Sequence, residues 1–128
     1  MARSRTVAVY AGEELGRYGF EDHPFGEDRI HAFWDEMHIR HLDYQVRVFQ
    51  PAMATEAQLK LFHTDDYVEK VKVFSEAGDG LLDYGDTPAY KGVFEDASFV
   101  VGTVIDATRK VMNNETRRVF VPIAGLHH

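Results

Sequence analysis

Cysteine is absent from this 128-residue chain. That excludes a disulfide, a thiolate metal site and a thiol nucleophile, and it fits a reducing, cytoplasmic setting. Basic residues are outnumbered: 14 Lys and Arg face 21 Asp and Glu, for a formal net charge of -7. Such a chain has no basic stripe with which to neutralise a phosphate backbone, so nucleic acid is not an expected partner. An acidic face would suit a cationic substrate, although an ordinary solvated surface has the same composition. No apolar run approaches the roughly 18 residues of a membrane span. Residues 1–10 carry basic groups but no long apolar region or small-residue cleavage site, so neither a signal peptide nor a membrane partner is expected. Internal repeats and low-complexity segments are also missing.

What is present suits one domain: hydrophobic residues make up 45% and charged residues 27%, ordinary values for a globular protein. Residues 6–10 (TVAVY) are rich in β-branched types and predict a buried opening strand. A Gly-containing loop follows over 11–26. From Asp28, the spacing of Ile30, Phe33, Trp34, Met37 and His41 or Leu42 predicts a helix with one face on a core. Residues 45–49 predict a second strand, ended by Pro51. Thr55 and Gln58 have capping-box spacing for a short helix through Phe62. Thr64, Asp65 and Asp66 place small polar and acidic groups at the start of another helix. That helix points Tyr67, Val68, Val71 and Phe74 inward and stops near Gly78. After a Gly- and Asp-rich loop over 78–88, the longest helical pattern runs from Gly92 to Met112, with Val93, Ala97, Val100, Val101, Val104, Thr108 and Val111 on its inner face. Residues 118–123 (RVFVPI) predict a third strand. Alternating strands and helices imply an α/β fold with about three parallel strands and flanking helices, and functional groups in such sheets gather at the C-terminal strand ends.

The pair His127-His128 stands just beyond that third strand. Two adjacent histidines taken alone are best explained as a clipped purification tag; a strand and Gly125-Leu126 ahead of them give the pair a mechanical setting. There, one imidazole can serve as general base while its neighbour holds developing charge.

The run Gly125-Leu126-His127-His128 resembles the G-L-H-H signature of the histone-deacetylase and acetoin-utilisation family, zinc-dependent deacetylases of the arginase/deacetylase superfamily. Three upstream segments resemble it in order: His23-Pro24-Phe25 with Arg29, His63-Thr64-Asp65-Asp66-Tyr67, and Asp86-Thr87-Pro88 followed by Gly92. Glu21-Asp22-His23-Pro24-Phe25 is most like the acetoin-utilisation branch. The resemblance implies the N-terminal portion of the arginase/deacetylase fold, with residues 1–128 a fragment truncated after the catalytic His pair. It implies His128 as general base, His127 as the protonated partner, Asp86 as a substrate-binding rim carboxylate and Arg29 as a channel residue. It also implies zinc in the full-length protein, with the ligands and a carbonyl-polarising tyrosine lying downstream, so no metal ligand and no bound zinc are expected on this chain. Glu27 and Ala124 depart from the family pattern, standing where Pro and Gly are usual.

The implied activity is metal-assisted hydrolysis of an acetylated lysine or amine, with this chain inactive alone. The alternative is a non-catalytic α/β interaction domain derived from the same family; arginase-like hydrolases fit less well, because they lack the G-L-H-H and H-P patterns. An exposed edge at the third strand leads to an expected homo-oligomer. Elsewhere, His38 and His41 have i, i+3 spacing but lack a third metal ligand. His63, Asp65 and Asp66 suit a helix start. Asp83 and Asp86 lack the spacing of a calcium loop. Gly102 is expected to permit close packing, and Tyr10, Tyr18 and Phe20 to form core or channel wall.

Overall fold

The structure is a computed structural model that describes residues 7–20, 23–85, 87–123 and 125. The opening apolar run forms strand β1 (Val7–Tyr10). Ala8, Val9 and Tyr10 are all buried, as a strand with neighbours on both edges and layers on both faces must be. Strands β2 (Arg47–Phe49) and β3 (Arg118–Phe120) flank it in the order β2-β1-β3, both parallel to it. In register, Val9 lies opposite Val48 on one side and Phe120 on the other. Parallel neighbours need long crossovers. Helix α1 (Asp28–Ile39) supplies the first. The second contains α2 (Glu56–Leu59), α3 (Asp65–Ala77) and α4 (Val93–Met112). The expected α/β arrangement of three parallel strands with flanking helices is the one observed.

Local chemistry sets the helix ends. At α2, the Thr55 hydroxyl accepts the Gln58 N–H at 3.2 Å and the Gln58 side chain accepts the Thr55 N–H at 2.9 Å, the reciprocal pairing that the spacing predicts. Thr64 caps α3 by accepting the Tyr67 N–H at 3.2 Å. Gly78 stops α3 in the left-handed region, at φ 70°, a conformation costly for any residue with a Cβ.

Both outer strands are shorter than expected. Gln45 closes a 3-10 turn and the second strand starts only at Arg47, and β3 ends before Pro122, which has no N–H to continue a ladder. The inner face of α4 also differs. Val93, Val100, Thr103 and Ala107 are buried, whereas Val104 and Val111 are exposed. The cause is the segment 52–54, which lies against the helix. The Ala54 N–H donates to the Ser98 carbonyl at 2.9 Å, and the Ala52 N–H donates to the Thr103 hydroxyl at 3.1 Å. A Cβ on Gly102 would collide with the backbone of Ala52, Met53 and Ala54, so this glycine does permit close packing.

The core has two parts. Tyr10, Leu15, Ile30, Val100, Ala107 and Ile123 pack together around the sheet. Ala54, Leu59 and Val68 form a smaller cluster with Phe94 and Val101 among the helices of the second crossover. Among the described residues no helix is long and apolar enough to cross a membrane.

Candidate active site

His127, His128 and Asp86 lie outside the described residues, whereas the segments that lead to them do not. Gly125 takes φ 85°, so the chain leaves β3 through a turn that only glycine makes without strain. The open side of Gly125 faces Val100 and Tyr18, whose nearest atoms would lie 3.8 and 4.0 Å from a Cβ placed there. The end of the third strand is thereby brought beside the wall of the cleft that Tyr18 lines.

That cleft, about 500 Å³, lies among α2, α3, α4 and the loop after α3, with Tyr18, His63, Tyr67, Leu82, Thr87 and Phe94 among its walls. Its upper side is a braced loop. Asp83 Oδ1 accepts the backbone N–H groups of Gly85 and Thr87, each at 3.0 Å, and Oδ2 accepts the Thr87 hydroxyl at 2.9 Å. Leu82 N–H donates to the Thr87 carbonyl at 2.9 Å and Ala89 N–H to the Gly80 carbonyl at 2.8 Å. The residues on either side of Asp86 are therefore held in place by Asp83. The sequence carried a signal for this: an aspartate that accepts backbone N–H groups within a Gly-containing turn.

From the opposite side, Tyr67 on α3 donates its hydroxyl to the Leu82 carbonyl at 3.3 Å. The His63 ring stands 5.1 Å from that of Tyr67 and 5.0 Å from that of Phe62. Thr64, not His63, makes the side-chain cap at this helix start. Burial raises the Tyr18 hydroxyl above its usual pKa, with Tyr67 and Asp83 adding to the effect. Burial, then Asp83, does the same for Tyr67. Both remain neutral phenols near pH 7 and do not act as bases there.

The loop before α1 is an aromatic cluster. Tyr18 meets Phe20 at 5.6 Å and Phe25 at 5.8 Å, both edge to face, and Phe20 meets Tyr90 at 6.2 Å. His23 Nδ1 accepts the Phe25 N–H at 3.0 Å and so shapes the turn around Pro24. Tyr10 is buried in the core cluster against which Tyr18 and Phe25 pack, and it donates to Asp106. Arg29 opens α1 with its guanidinium 5.3 Å from the centre of the Phe25 ring and is exposed to solvent. Tyr90, unnoticed in the sequence, ties the cluster down: its hydroxyl lies 3.0 Å from Asp96 and 3.1 Å from the Arg17 carbonyl. Burial first, and then Asp96, raises the Tyr90 pKa; burial also raises that of Asp96, against the hydrogen bond from Tyr90.

Among the described residues no group of three or more His, Cys, Asp or Glu side chains comes together to hold a metal. His38 Nε2 is 3.7 Å from Asp43. His41 lies beyond the helix at φ 55°, its ring 6.4 Å from that of Tyr44. The two histidines thus have separate neighbours.

The family described as the histone deacetylase domain matches residues 23–128. The acetoin utilization protein AcuC of Bacillus subtilis is 33% identical over 133 aligned residues, covering 96% of this chain and 34% of that protein. Histone deacetylase 8 of Xenopus tropicalis is 32% identical over 91 residues, covering 66% of this chain and 25% of that one. This chain therefore spans about a third or less of the length of these relatives. The HDA15 HD domain superposes with a TM-score of 0.82 over 92% of this chain and 35% of its own, at 18% identity, which supports the fold alone. The motifs that end on Gly125-Leu126-His127-His128 fall inside the matched region, and the chain belongs to the histone deacetylase family.

Proposed function

We propose that this chain is the N-terminal portion of a hydrolase that removes acetyl groups from lysine-like amines, and that residues 1–128 do not turn over substrate alone. The observation that carries the reading is the family match over residues 23–128, which takes in every motif segment from His23 to His128. In this assignment His128 accepts a proton from the attacking water, and His127 keeps its proton and offsets the charge that builds on the carbonyl oxygen. Asp86, between Gly85 and the Asp83-braced Thr87, accepts hydrogen bonds from the substrate backbone. Arg29 would line a channel only once further chain covers it, being exposed here.

Zinc, which the family resemblance implies for the longer protein, would supply the acidified water that amide hydrolysis needs. The family resemblance places its ligands downstream of His128, and the roles proposed for this chain are binding substrate and moving protons. General-base help is worth about 10²–10⁴-fold, well short of the acceleration amide hydrolysis requires. The second reading, a non-catalytic interaction domain, draws on one observation: Phe120 on edge strand β3 is half exposed.

Metal analysis beside an acetyl-lysine assay tests the proposal on this chain and on a version extended by downstream residues. The short chain should show neither tight zinc nor turnover, and the extended one should gain both together. In the extended protein, His128→Ala should lose about 10²–10⁴-fold in kcat and keep its metal, and Asp86→Asn should weaken peptide turnover at an unchanged melting temperature. Zinc-dependent turnover by the short chain, or loss of zinc on His128→Ala, would overturn the assignment.

A further inference from the structure

We propose that the pocket between α1 and β2 binds a small organic cation, an ammonium group carried on an apolar body. The pocket holds about 520 Å³ and is lined by Trp34 and His38 from α1, Asp43 and Tyr44 from the 3-10 turn, and Val48 from β2. It shares no residue with the cleft lined by Tyr18 and Tyr67. Its volume lies in the range of small-molecule sites.

Three features select a cation. The first is an under-compensated carboxylate. The Asp43 side chain is only 17% exposed, and its one ion-pair neighbour among the described residues is His38, 3.7 Å away and charged only when protonated. Asp43 Oδ1 is buried and accepts no hydrogen bond among the described residues. A carboxylate withdrawn from water without a full partner is costly, and a bound cation would offset that cost. The second is the charge of the wall: Glu13 is a further lining residue, and no Lys or Arg lines the pocket among the described residues. An anionic ligand would be repelled. The third is aromatic surface. The Trp34 and His38 rings stand 5.9 Å apart, and Tyr44 is 70% exposed at the rim. The faces of such rings attract a desolvated ammonium. Ile30 and Val48 then give the apolar body of the ligand a surface to cover.

The Trp34 indole N–H is also buried and donates to no partner among the described residues. Both atoms therefore belong to side chains that line this pocket. A shift of Trp34 on ligand binding would be reported directly, because it is the only tryptophan of the chain.

The experiment is a titration of intrinsic fluorescence with phenethylammonium, beside the neutral phenethyl alcohol and the anionic phenylacetate. The ammonium should give a saturable change, and the alcohol and the carboxylate should bind at least about tenfold more weakly. Asp43→Asn should reduce ammonium affinity by about tenfold or more and erase the preference over the alcohol. Tyr44→Ala, at an exposed position where folding is not at stake, should also weaken the ammonium; it keeps the test decisive if the Asp43 variant fails to fold. Equal binding of ammonium and alcohol, unchanged affinity in a folded Asp43→Asn protein, or no saturable response up to on the order of 10 mM would overturn the proposal. The deacetylase reading stands or falls separately, since it uses none of these residues.

Discussion

Single residues carry much of what distinguishes this chain from a generic sheet-and-helix protein. Tyr10 is the last residue of the central strand and is fully buried, with its hydroxyl donating to Asp106 Oδ2 at 2.5 Å and Lys110 standing 3.7 Å from the same oxygen. Burial foremost, and then the Asp106 carboxylate, raises the tyrosine well above its ordinary pKa of 10.0. The unfolded chain then loses this proton at lower pH than the native one, so the native state holds more protons above pH 10 and stability falls there. The contribution is fully present below about pH 10. Denaturant midpoints should therefore decline as pH is raised past 10, and Tyr10→Phe should decline less steeply. At neutral pH the same substitution should cost about 1 kcal/mol, because it removes the hydrogen bond that the buried Tyr10 makes to the half-buried Asp106 carboxylate. Identical pH slopes for the two proteins would show that Tyr10 does not supply the effect.

Elements take their boundaries from short-range chemistry and their facing from long-range contacts. Helix α3 begins where Thr64 caps the Tyr67 N–H and ends at left-handed Gly78, both legible in the order of residues. Thr64→Ala should lower stability by about 1 kcal/mol, the usual worth of such a cap. It should also loosen the cleft wall that Tyr67 builds, so amide exchange should quicken in the first turn of α3 before it does in α4. Helix α4 shows the opposite case. Its N-cap, Gly92, has no side chain to offer, and the cap comes from α3: the Ser75 hydroxyl accepts the Phe94 N–H at 3.1 Å and donates to Glu95 at 3.2 Å. The inner face of α4 is likewise turned toward Ser98, Gly102 and Thr103, because the backbone of residues 52–54 needs somewhere to place its N–H groups. A pattern of valines predicts a different face, since hydrophobicity counts side chains and the decisive partner here is a backbone.

At the scale of the whole molecule, β1 is satisfied on both edges, whereas β2 and β3 each have one partner among the described residues. Phe120 on β3 is 50% exposed, with its ring 5.4 Å from that of Phe33. An apolar strand with an open ladder is a template for further pairing. Light scattering at tens of micromolar, on the order of ordinary interface affinities, should find a dimer or larger species. Phe120→Lys, which places a charge on that edge, should shift the population toward monomer. A clean monomer of the parent protein at that concentration would refute pairing through β3.

Alternation of apolar runs with helical spacing was enough to specify the α/β class, the three strands and the four helices, because burial of one face per element imposes those periods directly on the residue order. The caps at Thr55 and Thr64 and the stop at Gly78 were legible for a similar reason, as their partners lie within a few residues. The order β2-β1-β3, the cross-helix cap from Ser75, the Asp83 brace around Thr87, the hydrogen bond from Tyr10 to Asp106, and the pocket that Trp34 and Asp43 both line were decided by tertiary structure. Each depends on groups far apart in the chain or on where a backbone N–H finds its acceptor, and neither leaves a periodic trace in the sequence.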